Sequence, residues 1–318
     1  MEAFGDPRAP SGDELAAAAQ LLVEAYPHRA HEPAHWSPGH EPNAARWIAE
    51  SRTGEIAAYM ALWPVHAAQY RMDVVVGPAF RRQGLGSSCV DFLIERAQAS
   101  GATSVQARPY AEAAHAIALL ERRGFRETMR MTGLLLGDVS SASVPDWESI
   151  RRAVCDRGLR LTTLEDELRH DSESWVKLAA ANQAARFEWP EPDPNPDGTP
   201  HARETPDEFR RRFEQLSIAE ACFIAVRGEE FIGYSALIAH DLERIEAGSG
   251  GTAVRPEYRG AGIATLLKAC CVRWSQQNRV RRLATSTGNA AMIRVNEKFG
   301  FRRTYDEVRT VLRFCARP

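Results

Sequence analysis

Apolar and polar positions along this chain follow one order that occurs twice. In the C-terminal half, Ala221 to Val226 and Phe231 to Ile238 are β-rich runs, and Gly228-Glu229-Glu230 between them is a hairpin signal. Ile263, Leu266, Leu267, Cys270 and Trp274 then form a 3.6-residue stripe, which predicts a helix opened by Gly262. Arg282 to Thr287 reads as a short strand. Asn289 caps a second helix carrying Met292, Ile293, Val295 and Phe299 and ending at Gly300, and Val308 to Phe314 is a closing strand. The N-terminal half gives the same series. Ile56 to Trp63 and Tyr70 to Val76 are strands, Leu85 to Ala99 a helix, Ser104 to Arg108 a strand, Ala113 to Arg123 a helix and Met129 to Leu136 a closing strand. Helices precede each sheet, at Asp13 to Tyr26 and at Ser172 to Ala185 with Pro206 to Leu216. Each half is therefore expected to be α+β with a mixed sheet.

The repeat is also visible residue by residue. Val74-Val75-Val76-Gly77-Pro78-Ala79-Phe80-Arg81-Arg82-Gln83-Gly84-Leu85-Gly86 aligns with Thr252-Ala253-Val254-Arg255-Pro256-Glu257-Tyr258-Arg259-Gly260-Ala261-Gly262-Ile263-Ala264, 178 residues later. Glu121-Arg122-Arg123-Gly124-Phe125 aligns with Glu297-Lys298-Phe299-Gly300-Phe301, 176 residues later. Two blocks in one order at nearly one spacing mean a duplicated domain and not a solenoid. The boundary is expected between Ser140 and Asp156, giving modules at 1–145 and 146–318.

Composition narrows the function classes. A length of 318 residues and a mass of 35.3 kDa suit two domains, and 44% hydrophobic with 26% charged residues excludes a disordered or collagen-like chain. Forty basic against 42 acidic residues leave a net charge of −2, which gives no field for gathering phosphate backbones, so no nucleic-acid partner is expected. Three of the basic residues are lysines (Lys177, Lys268, Lys298) and the rest arginines, in keeping with a GC-rich bacterial genome. The six cysteines show no C-x-x-C or Cys/His metal spacing, so no metal is expected, and adjacent Cys270 and Cys271 read as small-residue packing in a reduced interior. No apolar run approaches ~18 residues and the N-terminus has no apolar leader, so the expectation is a cytoplasmic protein without a membrane partner, a monomer or homodimer.

The sharpest local signal is the turn from strand to helix after Val254. Pro256 stops the strand ladder, and Arg259-x-x-Gly262-x-Ala264 begins the helix. Glycines there let backbone N–H groups face outward as a concave nest, to which the helix N-terminus adds partial positive charge, a combination suited to a pyrophosphate. It is not a Walker loop, since no Gly-Lys-Ser/Thr follows. The spacing is also not that of a dinucleotide fingerprint.

V-x-P-x-x-R-x-x-G-x-[G/A], followed about thirty residues on by a helix ending in Gly-Phe, resembles the GNAT acetyltransferases. Both halves carry it, so the resemblance covers nearly the whole chain, in the two-module layout of mycothiol synthase. It implies acetyl-CoA as cofactor. The pyrophosphate would lie on Arg259, Gly260, Ala261, Gly262, Ile263 and Ala264, and the pantetheine arm along the backbone of Thr252, Ala253 and Val254. Asn289 stands where the family places an asparagine that contacts the cofactor. In the first half the corresponding set is Val74, Val75 and Val76 with Arg81, Arg82, Gln83, Gly84, Leu85 and Gly86, but Ala113 stands at the asparagine position, and the first module is expected to be degenerate.

Acyl transfer to an amine needs loss of a proton, stabilisation of an oxyanion and departure of a thiolate. Unpaired backbone N–H groups near Val254 suit the oxyanion. Where many family members have a tyrosine acid, this chain has Asn296, two helical turns from Asn289 and able to donate a hydrogen bond to sulfur, and Leu120 in the first half. Glu246, on the run leading into the strand before the loop, is the candidate base. Glu188, Glu191, Asp193 and Asp197 crowd a proline-rich stretch ahead of the second sheet, which suggests a small cationic amine as acceptor. The expected activity is N-acetylation of an amine in the second module. The alternative is a non-catalytic acyl-CoA-binding or regulatory protein, because neither half keeps the tyrosine.

Overall fold

The computed structural model describes residues 4–25, 43–66, 68–144, 147–186, 204–241, 244–246 and 251–314. The elements of the first repeat are α1 (Gly12–Ala25), β1 (Ala45–Glu50), β2 (Ile56–His66), β3 (Gln69–Val76), α2 (Leu85–Ala99), β4 (Ser104–Ala107), α3 (Ala114–Glu121) and β5 (Arg126–Leu136). After them come α4 (Trp147–Cys155), β6 (Arg160–Thr163), α5 (Leu164–His170), α6 (Ser174–Arg186) and α7 (Pro206–Leu216). The second repeat continues with β7 (Ser217–Arg227), β8 (Glu230–Asp241), β9 (Arg244–Glu246), β10 (Thr252–Val254), α8 (Ile263–Gln277), β11 (Arg282–Thr287), α9 (Ala290–Lys298) and β12 (Arg302–Arg313).

The described chain forms two compact units, one from residues 4–130 and 305–314 and the other from the remainder. In the first, β2 pairs antiparallel with β1 and β3, and β3 pairs parallel with β4 only over Gln69–Arg71. The 3.6 period of α2 places Leu85, Cys89, Val90, Leu93 and Ala97 on one buried stripe, packed with Met60, Leu62, Met72 and Phe125. In the second unit, β7 and β8 form the expected hairpin, and α6 and α7 bury Trp175, Leu178, Phe209 and Phe213 against Ile224, Val226 and Tyr234. Ile263, Leu266 and Leu267 of α8 pack with Ala225, Ile232 and Val254; Ala225 alternates with Ile224 and Val226 along β7, and a bulge at Ile232 turns that side chain to the same side, so α8 covers the other face. Thr205 and Glu208 form a reciprocal capping box that fixes the start of α7.

The closing strands do not close the sheets of their own repeats. Thr132 to Leu136 of β5 pair with Leu283 to Thr287 of β11 in the second unit. Thr310 to Arg313 of β12 pair with Ser104 to Ala107 of β4 in the first. Leu134, Leu136 and Val139 accordingly belong to the core of the second unit, and Leu312 and Phe314 pack on the core of the first. The closing strands expected at Met129 to Leu136 and Val308 to Phe314 are present, and each pairs with a strand of the other repeat. The two closing strands have similar alternation, so periodicity cannot say which edge each will join. Two further differences concern short elements. The region expected to be a boundary, Ser140 to Asp156, holds α4, whose Val154 is buried beside Leu266 and Leu267, and strand β1 has no counterpart in the periodicity reading.

Candidate active site

Strand β10 is three residues long and, among the described residues, pairs on one side, with β8: Thr252 opposite Ser235, Ala253 opposite Tyr234 and Val254 opposite Gly233. Ala236 N donates to Gly251 O and Arg255 N donates to Ile232 O, both at 2.8–2.9 Å. Antiparallel residues alternate between bonded and non-bonded pairs, so Ala253 also bonds toward β8, while the N–H groups of Thr252 and Val254 turn away from it. On that side, among the described residues, β11 is paired with β9 and β5 and not with β10, which leaves a gap with no strand to take these backbone donors. Gly233 permits the close approach of β8, because a Cβ there would lie 2.8 Å from Ala253 O.

The chain then makes a 3-10 turn at Pro256–Tyr258 and the predicted loop. Arg259 donates from Nε to Val254 O at 3.1 Å and from a terminal nitrogen to Ala185 O at 3.2 Å. Gly260 and Gly262 have φ of +76° and +82°, a region that costs other residues roughly 1 kcal/mol or more. Gly262 is the N-cap of α8 and supplies no side-chain cap, so the first N–H groups of the helix face outward. A Cβ at Gly262 would meet no protein atom within 4 Å, which marks free space at the nest. The first repeat has the same design. Arg81 Nε donates to Val76 O at 3.2 Å, Gly84 has φ of +85°, and Arg82 takes the left-handed conformation that Gly260 takes in the second loop.

Between the β10 edge and the nest lies a cavity of about 450 Å³, lined by residues of the second unit. Thr252, Ala253, Val254, Arg259, Gly260, Gly262, Ile263, Ala264, Asn289 and Asn296 all border it. Ala261 does not line it, and its carbonyl instead accepts from Arg157 at 3.3 Å. Asn289 Oδ1 accepts from Ala291 N and Met292 N at 2.8 and 3.3 Å, so this side chain both caps α9 and borders the cavity. The position equivalent in the first repeat, Ala113, caps α3 without a side-chain bond, and Leu120 is buried.

Asn296 is 2% exposed. Its Nδ2 donates to Met292 O at 2.9 Å, and its Oδ1 is buried with no hydrogen-bond partner among the described residues. The amide thus keeps a free acceptor, Oδ1, and the second hydrogen of Nδ2. Glu246 ends β9, its backbone paired opposite Ile238 and Ala284; its side chain lies outside the described residues, as does the acidic stretch from Glu188 to Asp197.

Tyr234, which with Tyr258 and Tyr305 the sequence offered as a candidate for a polar role or simple amphipathic packing, borders the cavity beside residues that escaped the sequence reading. Tyr234 donates to Asn182 Oδ1 at 2.8 Å in a buried pair, and both line the cavity with Thr285, Ser286 and Thr287. Lys268 also lines it and is 2% exposed. Its signal was available: a lysine in the run Leu266-Leu267-Lys268-Ala269-Cys270, aligned at the repeat spacing with Val90 of the first half.

A strand ending beside a gap, a glycine nest at a helix N-terminus and a polar cavity between them define a cleft for an extended ligand with a phosphate end. The chain matches the acetyltransferase (GNAT) family over residues 15–125 and 162–301, and it belongs to that family. Members transfer acyl groups, generally from acetyl-CoA. No curated protein matches the chain in sequence. Among solved structures, it is similar to a GCN5-related N-acetyltransferase from Sphaerobacter thermophilus (TM-score 0.73, 20% identity, 98% of this chain and 95% of that one). It is also similar to a tandem GNAT protein from the clavulanic acid biosynthesis pathway (TM-score 0.62, 19% identity, 99% of each chain). A third is the glucosamine N-acetyltransferase region of a fungal multi-domain GH3 β-N-acetylglucosaminidase (TM-score 0.68, 15% identity, 97% of this chain and 38% of that one). At these identities the likeness is one of fold.

Proposed function

We propose that the chain is an acetyl-CoA-dependent N-acetyltransferase whose second repeat, 146–318, carries the catalytic cleft, while the first, 1–145, is degenerate. The observation that carries this reading is the cavity that joins the outward N–H groups of Thr252 and Val254 to the open nest at Gly260 and Gly262. Bound acetyl-CoA would supply the activated thioester. The nest and the first turn of α8 hold its pyrophosphate, and Arg259 fixes the loop by its bond to Val254 O. Asn296 Oδ1, buried and unpartnered, suits an amide N–H of the pantetheine arm, which gives the orphaned acceptor a partner. The Thr252 and Val254 N–H groups are fixed by the β8 pairing before any ligand arrives, so they stabilise a developing oxyanion without reorganisation.

Glu246 is proposed as the group that takes the acceptor's proton, through water. Its backbone sits opposite Ala284 on β11, the strand on the far side of the gap from β10. The acceptor is proposed to be a small cationic amine, on the charge of the stretch containing Glu188, Glu191, Asp193 and Asp197. Free thiolate is a tolerable leaving group near neutral pH, so a tyrosine acid is dispensable.

The test is acetyl-CoA turnover against a panel of amines, read by thiol release and by product mass. Glu246→Gln should lower kcat and alter the pH limb set by the base. Acetyl-CoA binding without thiol release from any amine would favour the non-catalytic alternative. In the first repeat, the retained Arg81 to Gly86 loop beside Ala113 and Leu120 supports binding without catalysis.

A further inference from the structure

Lys268 is the most unusual side chain in the second unit. It sits on α8, 2% exposed, among buried Leu266, Leu267, Ala269 and Cys271. No carboxylate among the described residues pairs with it. Burial pushes its amine below the ordinary lysine value, and nearby Cys271 opposes this. An unpaired buried ammonium is costly, so the free-amine form is favoured relative to a surface lysine.

The surroundings of Lys268 are polar in the second unit alone. Cys271 Sγ lies 3.3 Å from Ser235 Oγ, which lies 2.8 Å from Thr252 Oγ1. The repeat alignment and the strand register replace these four residues in the first unit by apolar ones: Val90 for Lys268, Leu93 for Cys271, Met60 for Ser235 and Val74 for Thr252. There Met60, Val90 and Leu93 are core, with Val74 packed on them. The fold therefore does not require a lysine at this position.

Position along the cleft matters next. Helix α8 starts at the nest and runs back along β10, so Lys268 stands six residues, about 9 Å, from Gly262. That is the direction in which the acyl arm must extend from a pyrophosphate held at Gly260 and Gly262, past Val254 toward Thr252. Lys268 borders the same cavity, and the cavity is its approach to a ligand.

Resting on the acyl-CoA reading of this cleft, we propose that Lys268 is itself an acyl acceptor, a self-modification site at the inner wall of the cavity. The lone pair of Nζ attacks the thioester carbonyl carbon. The C–N bond forms, the C–S bond breaks, and a proton from Nζ passes to the sulfur, giving N6-acyl-lysine and free CoA thiol. The product amide is neutral, which removes the burial penalty of the amine, and it occupies the acyl end of the cavity. The modified chain is thereby closed to further turnover.

The test uses the full chain and acetyl-CoA. Calorimetry first establishes CoA binding. Intact mass and peptide mapping then follow acetylation, a clean readout because the chain has three lysines. The expected result is one acetyl group on Lys268, at a rate that saturates with acetyl-CoA and falls at least tenfold in Gly262→Glu. Lys298, exposed at the cavity rim, is the internal control and should label more slowly. Lys268→Val, which carries the first repeat's residue, should bind CoA and gain no such mass; Lys268→Met serves if the valine variant does not fold. The proposal is overturned if CoA binds and Lys268 stays unmodified, or if it labels no faster than Lys298 or equally in Gly262→Glu. Absence of CoA binding to the wild-type chain overturns the reading of the cleft and this proposal with it.

Discussion

Arg259 reaches back five residues to bond the carbonyl oxygen of Val254 at 3.1 Å, and in the first repeat Arg81 reaches Val76 in the same way at 3.2 Å. This bond ties the end of the strand proposed to present oxyanion donors to the loop proposed to present phosphate donors. Both ends of the cleft are thus set by one side chain, and its guanidinium also holds Ala185 O of α6.

Arg259→Ala should accordingly loosen the loop. Loss of charge-assisted bonds of this kind costs about 1.5–3 kcal/mol. The expected outcome is at least a tenfold weaker CoA affinity by calorimetry. Arg259→Lys should not restore it, because an ammonium cannot bond both carbonyls from the same fork.

Gly262 separates strain from space. Gly262→Ala should lower stability by roughly 1 kcal/mol, since φ of +82° disfavours a side chain, while a Cβ meets no protein atom. Chemical denaturation would read this. Gly262→Glu has similar strain and should in addition abolish the anion site, so the gap between the two variants in CoA affinity measures the nest.

The strand exchange makes the halves interdependent. A fragment of residues 1–145 keeps β5, which pairs in the second unit, and lacks β12, which covers β4 in the first. A fragment of residues 146–318 has the opposite defect. Each should express as an aggregating or partly folded chain, because an exposed central strand edge invites other pairing. Coexpression of the two should restore a folded pair, measurable by size exclusion and far-UV circular dichroism.

In the first unit, Glu307 on β12 lies 3.1 Å from Arg309 and 3.9 Å from Arg108. Burial alone would raise its carboxyl, but Arg108, Arg309 and Arg71 outweigh it and hold the group below the ordinary glutamate value. A carboxyl depressed on folding stabilises the protein above its unfolded value, and that contribution is lost as pH falls through the folded one. Stability should therefore drop as the solution is acidified below about pH 4.3. Glu307→Gln should flatten that part of the profile and lower stability at neutral pH by about 3 kcal/mol, the scale of breaking a buried ion pair. Thermal melts at several pH values would check both.

Much of this architecture was legible in periodicity and glycine placement. Helices Leu85 to Ala99 and Pro206 to Leu216 and strand Arg282 to Thr287 follow from stripes, caps and β-rich composition, and the observed bounds agree. The Gly262 turn was legible because its φ demands glycine. Strand exchange was not, since register and edge choice depend on tertiary packing that a two-residue period does not encode. The placing of Asn296 on the cavity was legible from its two-turn spacing from Asn289, but its bond to the Met292 carbonyl was not, because helix spacing gives a face and not a side-chain rotamer. Lys268 was passed over because an apolar stripe treats an interrupting lysine as noise, although comparison with Val90 singles it out.

The most direct measurement is isothermal titration of acetyl-CoA, with thiol release followed in the presence of an accepted amine, for the wild-type chain, Gly262→Glu and Gly84→Glu. The account expects Gly262→Glu to lose binding at the second repeat by more than tenfold, about 1.4 kcal/mol, and to lose turnover, while Gly84→Glu keeps turnover. Retained turnover in a folded Gly262→Glu protein, or its loss in a folded Gly84→Glu protein, would contradict the assignment of the cleft to the second repeat.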